Sequence, residues 1–175
     1  MYKKYFLGIL FLGILFLLNG VFRVDTFFVL HSEKKQDNKE NYILVSRVID
    51  GDTIELSDGN RVRYIGIDTP EMNYEKGNDK QECFAQEALR RNKELVENQY
   101  VRLEKDISDT DTYERLLRYV YTKENVFINE VLVRDGYAEA KNYPPDSTFS
   151  KYFRELEKDA KDKELGMWNR SVCSN

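Results

Sequence analysis

Three short runs, "YILVSRVI", "DTIELS" and "NRVRYIGI", follow one another between Tyr42 and Ile67 and are joined through Asp50-Gly51 and Asp58-Gly59. No other feature constrains the fold as tightly. Runs rich in β-branched and aromatic residues suit a pleated surface. Asp-Gly between them signals a hairpin, because glycine reaches the dihedrals a tight turn needs and the aspartate bonds its own backbone two residues on. The stretch predicts a three-stranded antiparallel meander.

Downstream the periodicity changes. "CFAQEALRRNKELVEN", Cys83 to Asn98, places Phe84, Ala88, Leu89, Leu95 and Val96 at helical spacing with charges between them. "YVRLEKDI" and "RLLRYVYTKENVFI" return to strand-like composition, with "KEN" as a turn between two apolar runs. "NEVLVRDG" predicts a short helix stopped by Gly136. "STFSKYFRELEKDAKDKELGMW" predicts a charged amphipathic helix, capped by Ser147 or Thr148 and running to Gly166, with Trp168 packing against the sheet beyond it. The order β-β-β-α-β-β-α-α makes an α+β fold. A small closed barrel with helices packed on it is the most economical way to remove its sheet edges.

The chain also carries an amino-terminal appendage. "YKKY" precedes an apolar run from Phe6 to Leu18. Residues 1–30 therefore read as a secretory signal or a membrane anchor helix, and 31–41 as a polar tether. Cleaved and uncleaved readings both stand, and both place residues 42–175, the folded domain, outside the cytoplasm. Without residues 1–35 the chain holds 22 Lys and Arg against 29 Asp and Glu, a formal net charge of −7. That counts against a simple basic-patch nucleic-acid binder, since a polyanion is repelled at long range. Two cysteines, Cys83 and Cys173, are too few for a metal framework and leave two readings, free buried thiols or one disulfide.

Two acidic stretches carry the chemistry. By itself "DGD" is a turn, and by itself "DTPE", Asp68 to Glu71, is a helix start with Thr69 as cap. Together they lie at strand ends of one meander with Arg63 between them, so Asp52 and Asp68 can meet at one barrel rim and share a cation. Two carboxylates, a backbone carbonyl and waters suit Ca2+, which accepts irregular oxygen ligation. One demand follows. In a regular strand Arg63 and Asp68 point to opposite faces, so the chain must leave strand geometry before Asp68, with Gly66 as the natural place. A second constellation is "DTDTYERLLRYVY", where an acidic loop enters a strand at Arg115.

"VIDGDTIEL", "RVRYIGIDTPE", "DTYERLLRYVY", "INEVLVRDGYA" and "LGMW", in this order and spacing, resemble the thermonuclease (staphylococcal nuclease-like) family over Tyr42 to Trp168. The resemblance implies a five-stranded OB-fold barrel with three helices. It also implies Ca2+-dependent hydrolysis of DNA and RNA phosphodiesters that leaves 3′-phosphates, by a protein expected to act as a monomer. It would make Asp52, Asp68 and the Thr69 carbonyl the metal ligands. Arg63 and Arg115 would grip the scissile phosphate, Glu71 would be the general base, and Tyr113 and Tyr143 would stack on substrate. Relatives of this kind carry cysteines before the first helix and after the tryptophan, which implies a Cys83–Cys173 disulfide.

The chain departs from the family's pattern where Tyr-Gly-Arg becomes Tyr113-Glu114-Arg115. A carboxylate beside the arginine is expected to alter the loop and to compete for the guanidinium. It keeps open an alternative, a catalytically silent barrel that binds nucleic acid or protein while tethered to the membrane. A third reading is a calcium-braced interaction domain.

Overall fold

The computed structural model of the chain describes residues 41–72 and 82–173. The expected signal or anchor and the tether before residue 41 lie outside the described residues. Strands β1 (Tyr42–Val48), β2 (Thr53–Leu56) and β3 (Arg61–Tyr64) form the expected antiparallel meander. Helix α1 (Ala85–Val96) follows, then β5 (Tyr100–Glu104) and β6 (Leu116–Thr122). Strand β5 pairs antiparallel with β1 and β6, and β6 pairs parallel with β3, which closes a five-stranded barrel in the order β1-β2-β3-β6-β5. Closure leaves no free sheet edge in the barrel.

The barrel is filled by the inward residues of alternating strands. Val45, Ile54, Leu56, Val62, Val101 and Val120 are all essentially inaccessible to solvent. Helix α1 covers one end with Ala85, Ala88, Asn92 and Val96, a three-four-four spacing that keeps one stripe inward. Its one buried polar group is satisfied: Tyr64 donates its hydroxyl proton to Asn92 Oδ1 (2.9 Å), and Asn92 Nδ2 donates to the Asp50 carbonyl (3.1 Å). Cys83 and Cys173 form a disulfide, Cα atoms 5.8 Å apart, tying the chain ahead of α1 to the carboxyl-terminal segment.

Two expectations about strands change. A two-residue pair, β4 (Ile67–Asp68) with β7 (Glu139–Ala140), lies beside the barrel and is too short to leave a periodic signal. After the Lys123–Asn125 turn, Phe127 makes a single bridge to Tyr121, and the chain then enters α2 (Ile128–Arg134) instead of a second strand. The helical spacing of Ile128, Val131 and Leu132, all buried, wins over the β-branched composition of "VFI".

Gly136 ends α2 at φ +78°, as anticipated. Helix α3 spans Ser150–Asp162, shorter than expected, and no side chain caps it. The two candidate caps are used elsewhere: Ser147 Oγ donates to Asn142 Oδ1 (2.8 Å) and Thr148 Oγ1 to Asp106 Oδ1 (2.9 Å). Trp168 closes a short 3-10 turn, half-buried, with Lys161 Nζ of α3 4.1 Å from its ring centroid, so its partner includes that helix.

Candidate active site

The β1–β2 turn works in two directions. Asp50 Oδ1 accepts the Asp52 amide (3.0 Å), the local bond that shapes the turn. Asp52 faces the other way. Its Oδ2 accepts the Thr69 amide (2.8 Å) and the Thr69 hydroxyl (2.9 Å), and its Oδ1 accepts the Thr53 hydroxyl (3.2 Å). Thr69 lies so close to the turn that a Cβ on Gly51 would sit 2.5 Å from its Oγ1. Gly51 is therefore fixed by the approach of Thr69, and the "DTPE" stretch is locked onto the turn and does not open a helix. Residues 69–72 have no regular structure.

The demand placed on Gly66 is met. Gly66 has φ +80°, a Cβ there would sit 2.8 Å from the Phe153 ring, and the chain leaves β3 before re-forming as β4 at Ile67. Asp68 thereby returns to the face of Arg63. Arg63 then spans the two aspartates, with Nη1 2.9 Å from Asp52 Oδ2 and Nη2 2.6 Å from Asp68 Oδ1. Nη1 also donates to the carbonyls of Tyr64 (3.2 Å) and Ile67 (3.0 Å). One guanidinium thus measures the separation of the carboxylates: both lie within its reach.

Negative charge exceeds positive here. Burial pushes the Asp52 carboxyl up to about 7, opposed by the Arg63 guanidinium and the Thr69 bonds and assisted by Asp50. Glu71 is exposed, and partial desolvation with the facing Asp50, Asp68 and Glu82 carboxylates raises it above the usual carboxylate range against the pull of Arg63. Lys141 Nζ, 3.7 Å from Asp68 Oδ2, is the second cation beside the group. Among the described residues, Asp50, Asp52, Asp68 and Glu71 face one guanidinium and one ammonium.

Among the described residues, no three His, Cys, Asp or Glu side chains converge as a complete metal-holding set. The donors present are hard oxygens, the Asp52 and Asp68 carboxylates, with Thr69 hydrogen-bonded to the first. That set and its excess charge fit a weakly held Ca2+ completed by water.

Arg115 stands at the start of β6. Its Nε donates to Asp111 Oδ2 (2.7 Å), and Asp111 Oδ1 accepts the amides of Tyr113 (2.9 Å) and Arg115 (3.0 Å). Although partial burial opposes it, these bonds hold the Asp111 carboxyl below its usual value. The aspartate takes the Nε edge, which leaves the paired Nη atoms as a fork. The guanidinium also stacks 5.3 Å from the Tyr113 ring centroid. Competition for Arg115 thus comes from Asp111, four residues earlier, and no bond joins Arg115 to Glu114. Glu114 holds φ +60°, the left-handed conformation that favours glycine.

Arg63, Arg115, Tyr113 and Tyr143 line one cleft of about 670 Å3 on the barrel. Tyr113 and Tyr143 are 79% and 48% exposed, so both rings are open to a ligand. The structure brings Asp52, Arg63, Asp68 and Thr69 into direct contact with Glu71 beside them, and puts Arg115 and the two tyrosines around the cleft that Arg63 also lines. The sequence reading missed Asp111 and Lys141. Asp111 carried a signal, an aspartate four residues before the arginine in a Thr-rich turn. Lys141 carried none.

Residues 61–170 match the family model described as Staphylococcal nuclease homologue. The chain belongs to the staphylococcal nuclease homologue family. The thermonuclease of Staphylococcus intermedius is 42% identical over 134 residues, covering 75% of this chain and 77% of that protein. The thermonuclease of Staphylococcus hyicus is 37% identical over 135 residues, 75% of this chain and 78% of that protein. Endonuclease YncB of Bacillus subtilis is 37% identical over 142 residues, with 78% and 66% covered. The five-stranded barrel and three helices are those expected of the staphylococcal nuclease homologue family, and the matched segment runs from β3 through the carboxyl-terminal 3-10 turn.

Proposed function

We propose that the chain is a Ca2+-dependent nuclease that hydrolyses DNA and RNA phosphodiesters to 3′-phosphate ends. In this reading the chain is secreted or anchored facing the extracytoplasmic side, and acts as a monomer. One observation carries the reading: Arg63 joins Asp52 to Asp68 at the rim of a cleft whose other wall presents Arg115. The thermonucleases and endonuclease at 37–42% identity support the nuclease part of this reading.

Asp52, Asp68 and the Thr69 carbonyl would hold the ion, which when bound supplies charge stabilisation at the phosphate. The remaining work falls to the chain. The Arg63 and Arg115 guanidiniums face the equatorial phosphate oxygens, where negative charge grows as water attacks. Glu71, exposed and held above the ordinary carboxylate range by its neighbours, takes the proton of the attacking water. Tyr113 and Tyr143 offer their faces to the flanking bases. Export is supported by Lys3 and Lys4 ahead of the apolar run from Phe6 to Leu18.

The test incubates the full chain with single-stranded DNA, with Ca2+ and with a chelator, beside Glu71→Gln. Cleavage that needs both Ca2+ and Glu71 is expected. Binding without cleavage selects the silent barrel, and a melting temperature raised by Ca2+ with neither binding nor cleavage selects the calcium-braced domain.

A further inference from the structure

The cleft has two walls from separate parts of the chain, the 107–115 loop carrying Arg115 and the 143–146 loop carrying Tyr143. Both are irregular, so no ladder of strand bonds joins them. Asp146 does so. It is 5% exposed, and its Oδ1 accepts the amides of Ile107 (2.9 Å) and Ser108 (2.7 Å), while its own amide returns to the Tyr143 carbonyl (2.9 Å). Although burial opposes it, these amides hold the Asp146 carboxyl below its usual value, so at neutral pH it is a charged acceptor for two donors.

A second carboxylate runs the opposite way. Asp106 accepts the Thr148 amide (3.1 Å) and hydroxyl (2.9 Å) and the Tyr119 hydroxyl (2.8 Å). The far end of the 107–115 loop is secured independently, by the Leu117 amide on the Asp109 carbonyl (2.9 Å) and the Thr110–Leu116 bridge. What remains to be set at the near end is the spacing of the two walls.

We propose that Asp146 is a positioning residue that fixes the Tyr143 wall of the cleft against the Arg115 wall and so sets the opening that receives the substrate strand. This rests on the nuclease reading for the identity of the ligand, though not for the stitch itself. Asp146 touches no reacting atom. Its removal lets both walls move, and the loss falls on binding rather than on proton transfer. Losing the position of one stacking wall should raise KM about tenfold.

The test compares full-length wild type, D146A and D146N on a single-stranded oligonucleotide, with Val96→Ala as a core variant of similar lowered stability away from the cleft. Amide hydrogen exchange is followed on the same four proteins. D146A should raise KM about tenfold with kcat within about twofold, D146N should restore KM because it keeps the Oδ1 acceptor, and Val96→Ala should leave KM unmoved. Exchange in D146A should quicken at Ile107 and Ser108 and across 107–115 and 143–146, and not across the barrel. If D146A and Val96→Ala give the same KM, the proposal is overturned. If the wild type cleaves nothing, the nuclease reading falls and exchange decides the stitch alone: unchanged protection at Ile107 and Ser108 overturns it, and loss confined to the two walls supports it.

Discussion

Replacing Arg63 by leucine tests the centre of the site without reference to turnover. Asp52 is 4% exposed and its charge is offset chiefly by Arg63 Nη1 at 2.9 Å. Without Arg63 the Asp52 carboxyl is driven further towards its neutral form, so the loss falls below the ~3–5 kcal/mol of a buried charge left unpaired, to about 2 kcal/mol. Asp68, with its side chain 32% exposed, adds little because water screens it. The bonds to the Tyr64 and Ile67 carbonyls add about 1 kcal/mol each where no water replaces the guanidinium.

The pair and the two carbonyl bonds together, about 4 kcal/mol, at a slope of ~2 kcal/mol per molar urea move the unfolding midpoint down by about 2 M in chelator. Ca2+ should narrow the gap, because an ion held by Asp52 and Asp68 favours the folded state by linkage and is no longer opposed by the guanidinium. Urea melts of the full chain, each protein with Ca2+ and with chelator, measure both effects. A variant within about 0.5 kcal/mol of wild type in chelator would show that Arg63 does not neutralise a buried charge. Equal gaps under both conditions would remove the shared cation.

Changing Arg115 to lysine keeps the charge and loses the planar fork, so kcat should fall about 100-fold; a loss under about threefold removes its phosphate role. For Asp52, the folded carboxyl at about 7 lies above its ordinary 3.8, so its stabilising contribution is full below about pH 4 and is lost as pH rises through 7. Urea midpoints in chelator should therefore fall from pH 5 to 8, and less so in Ca2+; a midpoint that rises over that window contradicts the assignment. Replacing Cys83 and Cys173 together by serine opens a loop with a sequence separation of 90 and should cost about 4–5 kcal/mol; calorimetry showing under about 1 kcal/mol would refute the constraint. Glu114→Gly should relieve about 1 kcal/mol of left-handed strain, partly offset by the greater freedom of glycine when unfolded, so a lower melting temperature would contradict the strain.

Much of this architecture is legible in residue pattern, and the limits of legibility are physical. Asp50-Gly51 and Asp58-Gly59 announce the meander because a turn's needs are local. Asn92 is not legible: its position on α1 looks polar and exposed, yet it is buried and satisfied by Tyr64 and Asp50, residues 28 and 42 positions away. The same holds for Asp146, whose two amide partners lie 39 and 38 residues earlier. Strands β4 and β7 escape because two residues carry no period. The requirement at Gly66 was readable because it is a parity argument: Arg63 and Asp68 cannot share a face unless the strand breaks between them. Glu114 shows the reverse, a residue whose sequence hints at a competitor for Arg115, while the geometry gives that place to Asp111.

The charge of residues 36–175, −7, bears on where the arginines of the barrel are spent. Arg63 is committed in this structure to two carboxylates and two carbonyls, with its side chain only 13% exposed. Such a guanidinium offers a phosphate little until its carboxylates gain another positive partner. Among the described residues, Asp50, Asp52, Asp68 and Glu71 outnumber Arg63 and Lys141, so this group has room for a divalent charge without becoming strongly positive. Arg115 is arranged differently: only its Nε edge is on Asp111 among the bonds of the described residues, and its ring neighbour Tyr113 is exposed. The two arginines are therefore not equivalent: in the proposed nuclease Arg115 would meet the phosphate first, and Arg63 would join it only once the acidic group is neutralised, which lets a barrel that repels polyanions at long range hold one at this rim.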